Sequence, residues 1–209
     1  MVVSGYASPV VISNYSFENP AGALGSPCGT GCSSMDMIPI GWTGSGGVGL
    51  FQPGSSFENY SYFNYVPDGV TVAYSNGGML SQVLADTVEA GVTYTLQVDW
   101  GARADNLFDS SATVALIIGN EMVLATGTAP TPGNWSTYTS TYVGSADDIG
   151  KSITIALSSG SQGNWDNVRL DRSGEWNELG SREVPEPASY QLLGMGLIGL
   201  AVARRRFHI

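Results

Sequence analysis

The segment Thr93–Trp100 fixes what kind of fold this chain can reach. Tyr94, Leu96, Val98 and Trp100 alternate with Thr93, Thr95, Gln97 and Asp99, the period of two that buries one face of a strand and leaves the other to water. The pattern returns in Lys151–Leu157, where Ile153, Ile155 and Leu157 share a face, and in the polar Ser136–Val143. Ala112–Ile118 and Glu121–Thr126 flank Gly119-Asn120 and read as a hairpin; Pro67-Asp68-Gly69 is a turn into Val70–Ser75, and Asn76-Gly77 reads as a second hairpin before Met79–Ala85. About ten short strands at this spacing, without a helical period ahead of the C-terminus, predict an all-β, two-sheet antiparallel jelly-roll sandwich. Only 12% of residues are charged and 28 of 209 are Gly, which suits strands and turns better than helices.

The C-terminus is built differently. Leu192–Ala203 holds only Leu, Gly, Met, Ile, Val and Ala, and Arg204-Arg205-Arg206 follows directly. Such a run is costly to leave in water, while arginines resist entering hydrocarbon, so the tail predicts one short transmembrane helix over about residues 190–203. Its length, roughly 21 Å at ~1.5 Å per residue, is less than the ~30 Å hydrocarbon core. By the positive-inside rule the arginines stay cytoplasmic and residues 1–183 lie outside. Gly194, Gly196 and Gly199 spell G-x-G-x-x-G, but ten residues before the chain's end and without a βαβ unit they are small residues of a membrane helix.

Val184-Pro185-Glu186-Pro187, the apolar helix and the arginine cluster, in this order, resemble the PEP-CTERM sorting signal of Gram-negative bacteria. The resemblance implies that an exosortase-type membrane enzyme recognises Val184, Pro185, Glu186 and Pro187. It also implies a transient stay in the inner membrane, anchored by Arg204, Arg205 and Arg206, before passage to the envelope or an extracellular, biofilm-type matrix. The N-terminus shows neither a basic n-region nor a sustained apolar h-region, so the export leader is expected upstream. The expected organisation is an N-terminal remnant (1–9), the jelly roll (10–171), a Gly/Ser-containing linker (172–183) and the sorting signal (184–209).

A second resemblance lies in two boxes that bracket the jelly roll, Asn14-Tyr15-Ser16-Phe17-Glu18 and Asp166-Asn167-Val168-Arg169-Leu170. They resemble the opening and closing strands of galactose-binding-like jelly rolls and carbohydrate-binding modules. Period-two counting puts Asp166 on the face of Val168 and Leu170, inside the core, where a carboxylate needs an arginine, a set of backbone amides or a metal. The resemblance implies a structural Ca²⁺ shared by Glu18 and Asp166, and all-oxygen ligation in an acidic domain suits such a hard cation.

Phe57–Tyr65 packs five aromatic residues into nine, interleaved with amides. They either tuck beneath their own loop or present flat faces to sugar rings. On the second reading Tyr60, Tyr62 and Tyr65, with Trp135, are the glycan ligands, and an extracellular polysaccharide is the partner. Cys28 and Cys32 lie in one loop; C-x-x-x-C is not the redox spacing and two cysteines do not complete a zinc site, so an exported chain favours a local disulfide over two free thiols. The formal charge is −10, and −12 without the tail. Without a basic patch to displace counterions, nucleic acid is not an expected partner. The single histidine, His208, lies beyond the membrane helix, which removes His-based triads and metal sites from the exported domain. Asp99, Asp105 and Asp109 are available as carboxylates, but nothing pairs two of them. The sequence therefore predicts a non-catalytic surface or matrix protein that binds glycan, with a purely structural protein as the alternative and a glycoside-active enzyme behind it.

Overall fold

The computed structural model describes residues 7–19, 24–27, 32–54, 62–105 and 111–174. These belong to a compact unit, Gly5–Gly174. The tail, with the sorting box, the expected membrane helix and the linker beyond Gly174, lies outside the described residues, as do Cys28 and Tyr60. Among the described residues no helix is long and apolar enough to cross a membrane.

Among the described residues eleven strands form one hydrogen-bonded network: β1 (Ser8–Pro9), β2 (Ser26–Pro27), β3 (Ser33–Met35), β4 (Thr43–Gln52), β5 (Val72–Thr87), β6 (Val92–Gly101), β7 (Thr113–Ile118), β8 (Glu121–Leu124), β9 (Trp135–Val143), β10 (Ser152–Ser158) and β11 (Gln162–Gly174). All pairings are antiparallel. One layer runs β2-β3-β4-β5-β10-β7-β8; in the other, β11 pairs with β1 and β6, and β6 with β9. The sandwich expected from the sequence is the one observed.

β11 joins the layers. Its first residues, Gln162–Trp165, pair with Asn76–Ala73 of β5, whereas Asn164–Gly174 pair with β6. β5 changes partner as well, from β11 to β10, whose contacts begin at Met79. Gly77, at φ 75°, and Gly78 fall at this change. Asn76-Gly77 is therefore not the expected hairpin turn. Opposite it, β4 slips register between Ser45 and Gly47, and a side chain at Gly46 would strike the Gly77 carbonyl. The positive φ that favours a two-residue turn serves here to kink a continuous strand as it leaves one neighbour for another.

Between the layers, alternation is obeyed. Tyr94, Leu96, Val98 and Trp100 of β6 meet Ile153, Ile155 and Leu157 of β10, Val114, Leu116 and Ile118 of β7, Leu80 and Leu84 of β5, and Val168 and Leu170 of β11 in the main core. Burying each such aliphatic side chain contributes about 1.5–3 kcal/mol. A second, smaller apolar cluster joins Cys32, Phe51, Phe63, Val72, Tyr74 and Trp135. Ala73 belongs to the main core, and Val72 and Tyr74, on either side of it, to the second cluster. The second cluster thus occupies the opposite face of the β4–β5 pair. Cys32 is buried and disulfide-bonded.

Candidate functional site

The opening box folds as a turn that aims Glu18. Asn14 (φ 50°) binds both ends of it, with its side-chain amide donating to the Asn19 and Ile40 carbonyls and its oxygen accepting from Asn19 N. Phe17 is fully buried against Trp42, ring centroids 5.3 Å apart, and has φ 61°. A positive φ is uncommon for a bulky residue, and here the tight turn places Phe17 inward with Glu18 beyond it. The Glu18 carboxylate accepts from Val70 N at 2.8 Å and Thr71 N at 2.6 Å. Gly69 (φ 72°) lies against it so closely that any side chain there would run into the carboxylate.

Asp166 meets the same loop from the other side. Its Oδ2 accepts from Asp68 N at 2.8 Å and its Oδ1 from Asn167 N at 2.7 Å. Period-two counting misplaces it. Asp166 pairs with Asp99 and Arg169 with Gln97, so β11 carries an extra residue between them, at the positive-φ Asn167. Val168 and Leu170 regain the core after this bulge, whereas Asp166, though fully buried, is held by backbone amides at the loop. Burial pushes its carboxyl up to about 8, against the pull of the two amide hydrogen bonds, with the charges of Asp68 and Glu18 adding to the rise. Tyr15 is raised by the same Asp68.

Glu18 and Asp166, expected to share a cation, both accept from backbone amides of loop 67–71. The donor set is all oxygen, and no cationic side chain contributes to the shift of Asp166. This is the chemistry a hard cation fits. Among the described residues no three acidic, His or Cys side chains gather, so further ligands would be backbone carbonyls or water.

The second apolar cluster supplies an aromatic face beside this loop. Across the strands, Gly49, Tyr74, Asn164, Gly101 and Trp135 stand in register, one each from β4, β5, β11, β6 and β9. A side chain at Gly101 would collide with the rings of both Trp135 and Phe63, so glycine lets these rings lie on the sheet, their centroids 4.6 Å apart. Segment 62–66 is stapled over them by Asn64 N to the Gly133 carbonyl, Ala104 N to the Tyr62 carbonyl, Trp135 Nε1 to the Tyr65 carbonyl, and Asn64 Nδ2 to Asn134 Oδ1. Tyr62 is half-buried, edge-on to Phe51 at 5.3 Å, with the Arg103 guanidinium 4.2 Å over its ring. Arg103 is itself held by Asp105, whose carboxyl it keeps below the usual range.

Of the aromatics expected to contact glycan, Tyr65 is 53% exposed, Tyr62 is half-buried, and Trp135 is buried in the cluster with its N–H spent on Tyr65. Of the carboxylates without an expected partner, Asp99 is buried and receives Thr137 Oγ1 at 2.6 Å, Asn167 Nδ2 at 2.9 Å and Arg169 at 3.4 Å. The register row through Asn164 is not visible in the sequence, because it depends on β11 lying between β5 and β6.

Comparison with known proteins adds identity to this geometry. The profile of a family described as HpiC1 cyclase matches residues 8–171, and that of the PEP-CTERM protein-sorting motif matches residues 183–206. The motif read from Val184–Pro187 and the arginine cluster is thus present, and it marks the chain for export to the cell envelope or extracellular space. Among curated proteins none matches. Among solved structures, the Stig cyclase Fisc from Fischerella sp. TAU, in complex with (3Z)-3-(1-methyl-2-pyrrolidinylidene)-3H-indole, is 21% identical, with a TM-score of 0.67 over 81% of this chain and 100% of its own. A cyclase from Fischerella sp. TAU in complex with 4-(1H-indol-3-yl)butan-2-one is 20% identical, with a TM-score of 0.63 over 80% of this chain and 98% of its own. The CBM22-1 xylan-binding domain from Paenibacillus barcinonensis Xyn10C is also a neighbour, 15% identical at a TM-score of 0.43 over 69% of this chain and 93% of its own. At these identities the cyclases establish the fold, and the xylan-binding domain is too distant to weigh further.

The expectation of a domain without catalytic function is overturned by the cyclase profile. That expectation rested on missing histidines and unpaired acids, which are the requirements of hydrolysis. Ring closure joins two parts of one molecule, and positioning with one suitable acid can carry it. Over residues 8–171, which is most of its length, the chain belongs to the HpiC1-like family.

Proposed function

We propose that residues 8–171 bind a small organic substrate at the aromatic face and promote ring closure in it, and that Glu18 and Asp166 share a Ca²⁺ that fixes loop 67–71. The observation that carries this reading is the crowding of Phe51, Phe63, Trp135 and Tyr62 on one face of the sheet, in a chain of the cyclase family. Apolar rings exclude water and restrict the conformers of a flexible substrate, which lowers the entropic part of the barrier. A bound Ca²⁺ would keep both carboxylates ionised. Asp166 also supports a second reading. With its pKa pushed up to about 8, it holds a proton at neutral pH and is suited to general-acid work.

In this reading, the PEP-CTERM tail holds the exported domain at the inner membrane until an exosortase-type enzyme removes the tail, and Cys28 and Cys32 form a disulfide. The exposed Tyr65 beside Asn64, with the half-buried Tyr62, supports a glycan contact at the rim, through which the protein would sit in an extracellular polysaccharide matrix.

Calorimetric titration of the full chain with 4-(1H-indol-3-yl)butan-2-one and, separately, with purified exopolysaccharide separates these sites. Saturable binding of the ketone, weakened at least about tenfold by Tyr62→Leu or Trp135→Phe, is the expected result. Binding of the polymer alone, lost in Tyr65→Ala, would move the function to the rim and end the ring-closing proposal.

A further inference from the structure

We propose that Asn164 is the polar anchor of the aromatic face and selects a flat, largely apolar ligand that carries one N–H or O–H donor. The inference rests on the reading of this face as a substrate site and narrows it. Asn164 is 2% exposed, and its carboxamide oxygen has no hydrogen-bond partner among the described residues. Buried acceptors are nearly always paired, and those that are not mark a water, an ion or a ligand.

The strand register shows which way it faces. Asn164 lies directly opposite Tyr74 on β5 and Gly101 on β6, and residues directly opposite on antiparallel strands share a face. Its neighbour Trp165 packs in the main core, as does Ala73 across from it, whereas Tyr74 and the rings over Gly101 belong to the aromatic cluster.

Among the described residues, the Tyr74 hydroxyl donates to Asp36, the Trp135 N–H to the Tyr65 carbonyl, and Arg103 Nε and Nη2 to Asp105, and no donor reaches the Asn164 oxygen. This acceptor is open to a donor carried by a ligand. Ring walls around a buried, unpaired acceptor suit a planar molecule with one donor better than a polyhydroxylated sugar, whose remaining hydroxyls would meet the rings of Phe63 and Trp135.

Matched probe pairs that differ by one methyl group test this: indole against 1-methylindole, and phenol against anisole, titrated into the full chain by ligand-observed NMR. The donor of each pair is expected to bind at least about tenfold tighter than its methylated partner. In Asn164→Leu the preference should fall to within about twofold, with an unchanged or raised Tm, because a similar-sized apolar side chain replaces an unpaired polar one. Equal binding within each pair, a preference that persists in Asn164→Leu, or an ordered water alone on Asn164 in a crystal soaked with indole overturns the anchor and leaves the aromatic site standing. Failure of all four probes to bind overturns the anchor together with the site.

Discussion

Asp166 carries a carboxyl to full burial with two backbone amides as its hydrogen-bond partners, and the cost is visible in its pKa, pushed up to about 8. The unfolded chain releases this proton near ~3.9, whereas the folded, cation-free chain retains it to about 8. Its contribution to stability is therefore full below the unfolded value and is lost as pH rises through the folded one. In chelator-treated protein, denaturant melts should show stability falling between these values, and Asp166→Asn should remove most of that slope. Gly101→Ala tests the aromatic face at the same scale. The added methyl meets the rings of Trp135 and Phe63, and overpacking of this kind costs about 1–3 kcal/mol, read as a lower denaturant midpoint with shifted tryptophan emission. Glu18 and Asp166 were legible in the sequence because each sits in a recognisable box. The side that Asp166 faces was not, since one extra residue at Asn167 resets the alternation. Asn164 gave no signal either, because its neighbours on the sheet are distant in sequence.

The strands themselves were readable wherever one face is apolar and the partner constant, as in β6 and β10. Reading failed at Asn76-Gly77, where the local pattern of a hairpin serves a strand that changes neighbours. Partner exchange is a long-range event, and a dipeptide carries no record of it. The connection between β9 and β10 offers a test of an element in isolation. Asp148, in the 3₁₀ turn Ala146–Asp148, receives Tyr142 Oη at 2.6 Å, Ser145 N at 2.9 Å and Lys151 Nζ at 2.7 Å. Lys151 first, then Ser145 and Tyr142, hold its carboxyl well below the usual range. This stabilisation is present above the unfolded carboxylate pKa and disappears as pH falls through the folded value. Asp148→Asn should accordingly lower the Tm at pH 7 and shrink the loss of stability that the parent protein suffers in acid.

At the scale of the molecule, two modules with separate physics share one chain: a strand sandwich of the cyclase family and a terminal sorting motif. The sandwich was legible from alternation and the tail from its three-part order. The reading of the sandwich as non-catalytic failed because the groups it lacks, histidines and paired acids, are those that hydrolysis needs. If the modules are independent, a chain ending at Glu183 should keep its Tm and ligand binding while changing compartment, as cell fractionation would show. The proposal depends most on Glu18 and Asp166 sharing a hard cation at loop 67–71. Thermal melts of the full chain at pH 7, with and without millimolar Ca²⁺, test it most directly. Ca²⁺ should raise the Tm of the parent by several degrees, as any ligand bound by the folded state alone does, and leave Glu18→Gln and Asp166→Asn unmoved. An unchanged Tm in the parent, or an equal rise in all three, would contradict it.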